Sequence, residues 1–433
     1  VAICYEIYLK TLLQDFFNGK IRTAMKNSKK KILFVGEGTS LAHIVRPLVL
    51  AKHLDTDRFE ISFACAEHYK WLIEDNGFKY HPLPTMSPQE FRQRLTDGKP
   101  LYDQARLKEY IEAELILLQQ VSPDLIVSDL RLSLSITTAV YQIPHIAIAN
   151  AFWSPYTTQR RILPDLPINK LAGRALGQFF FDLSYPLAAS MFHAKGLNEL
   201  RRIYHLPILQ TLEEVYTCGE WTLYIDVPSL APTKYLPYHQ KYIGPIMEMP
   251  QIALPPWWQQ WPTDKPVIYV SLGSTGDVGI LENIIRSLDR PDITVLLATA
   301  QRLERKEWPK NFFVAPYLPG QEAARNAQLM LFNGGSGSAY QPLSCGKPVI
   351  GFPTNMDQFL CISMIAKQGA GKLITSDKAT TKHINASIDS ILKNPTYTKC
   401  AQSLAEEITQ FDAIKNFKDF VDCWEQGTLK RRL

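Results

Sequence analysis

Apolar residues run along this chain in short unbroken blocks that seldom alternate with polar positions. The first is "KKILFVGEG", ending in Gly36 and Gly38; "FEISFACA", "LIVSD" and "PHIAIAN" follow, separated by helix-like stretches such as "RPLVLAKHL". Blocks of this kind, without in/out alternation and spaced by helices, predict a parallel sheet covered on both faces. The rhythm breaks over residues 151–215, an aromatic and helical stretch containing "AFWSPYTTQ" and "GQFFFDLSYPLAASMF". "WTLYIDV" and "KYIGPI" then read as strands. The segment "MEMPQIALPPWWQQWPTDKP" is rich in proline and tryptophan, lacks a period, and predicts an interdomain linker over 245–264. After it the rhythm restarts with "VIYVSLGS", "ITVLLAT", "FFVAPYLPG", "LMLFNGG" and "PVIGFP". The expected fold class is α/β, two Rossmann-like parallel-sheet domains facing across a cleft. Their expected extents are 25–244 and 265–405, with 406–433 a C-terminal helix packing back across the domains. Ligands of such sheets sit at the C-terminal ends of the strands, here in the cleft.

Composition agrees with two domains and narrows the function. A chain of 433 residues exceeds one ordinary core and suits two, and 46% hydrophobic with 21% charged residues is the make-up of a globular protein. A net charge of +5 requires no nucleic-acid partner, though it suits an anionic ligand or an anionic membrane surface. The seven cysteines are odd in number and scattered, with no CxxC and no Cys/His pair at zinc spacing. They predict reduced thiols in a cytoplasmic protein and no metal site. Leu132–Gln159 lacks Asp, Glu, Lys and Arg, but Pro144 and Pro155 make it a helix followed by a buried strand rather than a membrane span. Residues 1–24 carry Glu6, Lys10 and Asp15, which excludes a secretory signal; Met25 stands as the natural start, and the preceding residues are expected to be an upstream extension.

The densest candidate chemistry is "LMLFNGGSGSAYQPLSCGKPVIGFPTNMDQ", residues 329–358. A strand running into "NGGSGS" and then a helix sets free N–H groups at a helix N-terminus, where glycines let an anion approach and the dipole favours negative charge. Read alone, the cluster is equally a tight turn. It is neither a P-loop, since no Lys follows, nor a GxGxxG fingerprint.

The wider block "GGSGS…QPLSCGKPVIGFPTNMDQ" resembles the donor signature of the family 1 glycosyltransferases, the UDP-glycosyltransferase superfamily with the GT-B fold. "LFVGEGTSLAHIVRPLVLA", "PDLIVSD" with "YQIPHI", "YIGPI" and "VIYVSLGS" resemble further pieces of that family in the same order, so the likeness spans roughly residues 30–375. The resemblance implies a nucleotide-sugar co-substrate, UDP- or dTDP-hexose, and no other cofactor. It implies that amides around Gly335, Gly337 and Ser338, with Ser274, hold the diphosphate; that Tyr317 and Leu318 meet the base; and that Asp357 and Gln358 grip sugar hydroxyls. Two positions depart from the pattern. Asn333 stands where the family has His, and Gln341 where it has the acidic residue that contacts ribose. Losing charge assistance at both would weaken nucleotide binding by ~1–3 kcal/mol unless compensated.

Inverting transfer requires a base for the acceptor hydroxyl. By the same resemblance His43 is that base and Asp129, closing "LIVSD", its orienting carboxylate, although the family's His-x-x-Pro is His-x-x-x-Pro here. The plainer readings are a helix-packing histidine and a helix N-cap. Glu37 is a fallback base or acceptor contact. The aromatics Phe152, Trp153, Tyr156, Phe179, Phe180, Phe181, Tyr185 and Phe192 either line a pocket for a lipophilic acceptor or form ordinary core; with Arg160, Arg161, Lys170 and Arg174 nearby they also suggest peripheral membrane contact. Three functions follow: an inverting glycosyltransferase acting on a hydrophobic small molecule or lipid; a nucleotide-sugar-binding protein with weakened or lost catalysis; or another GT-B enzyme, such as a lipid-intermediate transferase or a sugar epimerase, the aromatic region and the "PVIGFPTNMDQ" block arguing against the epimerase.

Overall fold

The computed structural model describes residues 29–431 apart from 98, 166–172, 190–193, 248–251, 259, 263, 274–275, 304 and 306. Seven parallel strands form the first sheet: β1 (Lys30–Gly36), β2 (Phe59–Cys65), β3 (Lys79–Pro82), β4 (Leu125–Asp129), β5 (His145–Ala149), β6 (Trp221–Tyr224) and β7 (Gln240–Tyr242), in the order β3-β2-β1-β4-β5-β6-β7. Six form the second: β8 (Val267–Ser271), β9 (Thr294–Ala298), β10 (Phe312–Ala315), β11 (Leu329–Phe332), β12 (Val349–Gly351) and β13 (Gly371–Leu373), in the order β10-β9-β8-β11-β12-β13. Both are α/β sheets with helices on their two faces. The short strands β3 and β13 lie at sheet edges, too brief and too polar to stand out from sequence.

Burial explains the unbroken apolar blocks. Ile32 and Phe34 of β1 face one core with Phe63, Val127 and Ile146, while Leu33 and Val35 face another with Ala64 and Ile126. A strand covered on both sides has no position to spare for a polar residue. In each sheet the chain reverses its winding between the strand that starts the domain and the neighbour across it, β1 beside β4 and β8 beside β11. Gly36 pairs with Asp129 and Ser271 with Phe332 at the C-terminal ends of these pairs. Crevices at such switch points are where open α/β sheets bind ligands.

The tryptophan-rich end of the segment between the sheets is docked rather than free. Trp257 donates to Val314 O at 3.1 Å, and Trp261 is buried beside Phe313. At the other end of the chain, the helix Pro395–Thr409 lies on the helix Ser336–Ser344 of the second domain. The helix Ala413–Glu425 then buries Phe417, Phe420 and Val421 in the first domain's core against Phe34 and Trp221. Asn416 fastens it by donating to Ile243 O at 2.9 Å. At the crossing, Phe411 stacks so closely on Gly244 (φ +96°) that no other residue fits there.

Candidate functional site

The His43–Asp129 pair is built where β1 and β4 end side by side. Gly36 closes β1, and the helix Ala42–Lys52 starts six residues later. A Cβ on Gly36 would stand 2.5 Å from the His43 carbonyl, so only glycine lets that helix begin so close to the sheet. Pro47 is four residues after His43 and lacks the N–H that would bond this carbonyl, which suits its close packing. Asp129 ends β4 and is followed by Leu130 in the left-handed region (φ +55°), a conformation a branched side chain adopts at a cost. The next helix begins at Leu134 behind Ser133, so Asp129 caps nothing.

His43 Nδ1 lies 2.8 Å from Asp129 Oδ1. The longer His-to-Pro spacing has not turned the ring away. Arg46, one helical turn on, puts Nη2 2.9 Å from the same oxygen and Nε 2.7 Å from Asp129 Oδ2. Arg46 Nη2 is also 2.7 Å from His43 Nδ1. A proton on Nδ1 shared with Asp129 Oδ1 leaves the lone pair on His43 Nε2. That is the tautomer a base needs.

The polar chain continues past the base. Arg46 Nη1 reaches Asn150 Oδ1 at 3.4 Å; Asn150 Nδ2 donates to Asp226 Oδ1 at 3.1 Å and lies 3.2 Å from Ser336 Oγ. Asp226 also accepts from Ala151 N at 2.6 Å and from the Tyr340 hydroxyl at 3.1 Å. Ser336 and Tyr340 belong to the helix Ser336–Ser344 of the second domain. Base and glycine cluster are therefore joined by one run of hydrogen bonds across the cleft. Asp226 is buried, and burial pushes its carboxyl up to about 6 despite the donors around it.

The glycine cluster forms the end of that helix. Gly334 (φ +88°) turns the chain out of β11, Gly335 is the N-cap without a side-chain cap, and nothing stands within 4 Å of where a Cβ on Gly337 would be. The first turn closes with Ser338 N and Ala339 N bonding Gly335 O at 3.2 and 3.0 Å, which leaves the earlier amides directed outward. Asn333 is buried and its Oδ1 accepts from Gly335 N at 3.2 Å, shaping the turn from within. Gln341 packs its amide on Gly320, beside Tyr317 and Leu318. Tyr317 is exposed, but the Leu318 side chain is core, so only its backbone is available to a base. Ser274 lies outside the described residues.

Asp357 opens the helix Met356–Lys367 behind the N-cap Asn355. Trp153, from the first domain, donates its indole N–H to Asp357 Oδ1 at 2.6 Å. Asp357 keeps an exposed face, yet the cleft walls strip bulk water from around it and raise its carboxyl, with Trp153, His43, Arg46 and Arg161 pulling the other way. Gln358 is buried, and its Oε1 accepts from Thr354 N at 2.9 Å; its side chain shapes the loop instead of facing the cleft.

Three expected acceptor contacts separate. Trp153 reaches the cleft. Phe152 is core, its carbonyl held by Arg161 at 2.6 Å. Glu37 is shut from solvent by Arg131 at 2.9 Å, Met86 N at 3.3 Å and Tyr110 OH at 3.2 Å, and burial raises its carboxyl. It balances the buried Arg131 guanidinium inside the first domain rather than lining the cleft. Arg46, Asn150, Asp226, Tyr340 and Ser336 escaped the sequence reading. Asn150 and Asp226 had a signal available, since they stand one and two residues past the parallel strands β5 and β6 in the "IAN" and "YID" blocks, as Asp129 closes its own. Among the described residues no group of His, Cys, Asp and Glu comes together to hold a metal ion.

Comparison with known proteins identifies relatives of the chain. Residues 280–411 match the erythromycin biosynthesis protein CIII-like C-terminal domain family. The chain is 40% identical over 379 residues to a PGL/p-HBAD biosynthesis glycosyltransferase of Mycobacterium tuberculosis, covering 87% of this chain and 88% of the relative. It is 38% identical over 379 residues to a PGL/p-HBAD biosynthesis rhamnosyltransferase of Mycobacterium bovis, covering 87% and 84%. The fold is that of the spinosyn rhamnosyltransferase SpnG complexed with thymidine diphosphate, at TM-score 0.67 and 18% identity over 92% of this chain and 100% of that one. With these relatives in place, the chain belongs to the family 1 glycosyltransferases, as the mycobacterial PGL/p-HBAD enzymes do, and has the GT-B fold.

Proposed function

We propose that this protein transfers a hexose or 6-deoxyhexose, with inversion, from a dTDP- or UDP-sugar to a hydroxyl of a lipophilic acceptor. A phenolic glycolipid or its precursor fits the relatives named for PGL/p-HBAD biosynthesis. The observation that carries the reading is His43 held 2.8 Å from Asp129 and linked by hydrogen bonds to the helix of the glycine cluster. In the step, the acceptor oxygen gives its proton to His43 Nε2 as it bonds the anomeric carbon. The bond from that carbon to the diphosphate breaks on the opposite face, and the leaving charge passes to the amides of Ser336 and Gly337 and the helix dipole. Asp129 and Arg46 stay as they are, the carboxylate stabilising the imidazolium. Helix-terminal amides take the charge a metal would otherwise take, so the step needs none. Asp357 grips sugar hydroxyls, and Tyr317 meets the base.

A second reading, a donor-binding protein with weakened catalysis, draws on Asn333 and Gln341, whose side chains are engaged with Gly335 and packed on Gly320. One experiment separates the two. Titration with dTDP, UDP and GDP identifies the donor, and transfer to a phenolic acceptor is then followed in wild type and His43→Ala. We expect one nucleotide to bind both proteins alike, while transfer falls about 10²–10⁴-fold in the variant. Equal rates in the two would end the assignment of His43, and binding without any transfer would favour the second reading.

A further inference from the structure

Arg302 stands in the turn that leaves β9. Ala300 and Gln301, neither of them glycine, both take left-handed backbone (φ +53° and +57°), a conformation that persists only where neighbouring bonds fix it. Here they do. Thr299 N bonds Ala315 O at 3.1 Å, Ala300 N bonds Pro316 O at 2.8 Å, and Arg302 N bonds Thr299 O at 3.1 Å. The turn so held brings the Arg302 guanidinium over the loop that leaves β8, where Nη1 donates to Gly276 O and lies 3.4 Å from Gly273 O. Gly273 (φ +59°) in turn faces the glycine cluster, since a Cβ on it would stand 3.6 Å from Asn333 Nδ2. Asn333 Oδ1 accepts from Gly335 N at 3.2 Å, at the N-cap of the helix Ser336–Ser344. From guanidinium to helix terminus the contacts pass through Gly273 and Asn333 alone.

We propose that Arg302 is a donor-binding residue, its guanidinium bringing to the nucleotide's diphosphate the positive charge that the neutral Asn333 withholds. The proposal rests on the nucleotide-sugar reading above. Charge, donors and position each support it. Among the described residues Arg302 forms no ion pair; its hydrogen-bond partners are two neutral carbonyls. The carboxylate that acts on it, Asp277, already caps its own helix by accepting from Gly279 N at 2.7 Å. A second cation bears on it from the first domain: partial burial and Arg92, in the helix Pro88–Asp97, hold the Arg302 guanidinium below the usual arginine range, with Asp277 opposing. Like charges set near each other across a cleft repel, and an anion bound beside both turns that repulsion into attraction. Only Nη1 is engaged with the carbonyls, so Nη2 and Nε remain to donate to phosphate oxygens. Position decides which anion. The guanidinium lies two contacts from the helix terminus where the diphosphate is expected, on the side of the residue that departs from the family pattern. A histidine at 333 would carry charge only when protonated, whereas an arginine carries it at every working pH.

The test is titration of the full chain with dTDP, UDP and the matching nucleosides at low and at high KCl. It is run on wild type, Arg302→Gln, Arg302→Lys and Arg92→Gln, with a thermal melt of each. Arg302→Gln is expected to bind the diphosphate about tenfold more weakly and the nucleoside as wild type does. Its diphosphate affinity should also fall less steeply with salt, since a screened charge pair has been removed. Arg302→Lys, which keeps the charge without the planar fork, should recover part of the loss and so separates charge from folding. Arg92→Gln should weaken the diphosphate alone, by a smaller factor. Equal losses for nucleoside and diphosphate would make Arg302 a prop for the β8 loop and overturn the proposal. Unchanged diphosphate affinity in Arg302→Gln, or tighter binding in Arg92→Gln, would overturn it as well. Wild type that binds no nucleotide would remove the donor reading itself, whereas wild type that binds no better than Arg302→Gln removes this assignment alone.

Discussion

Asp226 offers a test in which sign and size both follow from its surroundings. It lies just past β6, shut from water, and takes bonds from Ala151 N, Asn150 and Tyr340. Burial outweighs those donors and lifts its carboxyl from 3.8 to about 6. A folded value above the unfolded one means that folding favours the protonated acid. The stability linked to this group is complete below about pH 4 and is lost as the pH climbs through about 6. The whole span is about 3 kcal/mol, of which about 1.3 kcal/mol falls between pH 5 and 7. Asp226→Asn removes the titration. The amide offers a single acceptor oxygen, so Ala151 N or the Tyr340 hydroxyl loses its partner, a pH-independent cost of about 1–3 kcal/mol. Urea unfolding of both proteins at pH 5 and pH 7 should therefore show wild type ahead at both. Its lead should shrink by about 1.3 kcal/mol at the higher pH. Many other carboxyls titrate over that range, but they are common to the two proteins and cancel in the difference. A lead that is constant or grows with pH would mean an ordinary carboxylate at this place, and the account of a burial-dominated acid joining the domains would fail.

Other perturbations probe other joints. Gly36→Ala sets a methyl 2.5 Å from the His43 carbonyl and 2.6 Å from Ile44 Cδ1, and should cost about 1–3 kcal/mol in a thermal melt. It should lower the transfer rate more than nucleotide affinity; unaltered turnover would show that His43 tolerates displacement. Trp153→Phe deletes the indole donor to Asp357, a bond that holds its carboxyl down against burial. The acid limb of donor-sugar affinity should then move to higher pH, and an unmoved limb would separate Asp357 from sugar binding. Phe417→Ala empties a fully buried place in the first domain and should cost about 3–5 kcal/mol, seen as easier proteolysis of the last helix.

What could be read from the sequence follows from the range of each interaction. Blocks such as "KKILFVGEG" and "LIVSD" declare themselves because a doubly covered strand must be apolar along its whole length. His43 and Asp129 could be paired only through the family resemblance, since Asp129 closes its block while His43 lies in the first turn of the helix that follows β1. Glu37 stands at the same kind of place and was misread. The residue that neutralises it, Arg131, lies 94 positions on, and no local pattern tells a carboxylate facing a cleft from one turned into a core. Phe152 and Trp153 share one short helical turn yet face opposite ways, which aromatic density alone does not tell apart. The exposure of Phe179 and Phe180 was hidden for a related reason, since an amphipathic period shows that a helix has two faces and not which one points outward.

The crossing at Phe411 and Gly244 sets the order in which this protein can be completed as it leaves the ribosome. The first sheet emerges early, but Phe417, Phe420 and Val421, which close one side of it beside Phe34 and Trp221, follow only after all six strands of the second sheet. Until they arrive, apolar surface on β1 and β6 stays open while the whole second domain is synthesised. A chain halted between β13 and Phe417 would therefore hold the second sheet complete and the first still open on one side, the kind of exposed apolar surface that makes a nascent domain prone to aggregate.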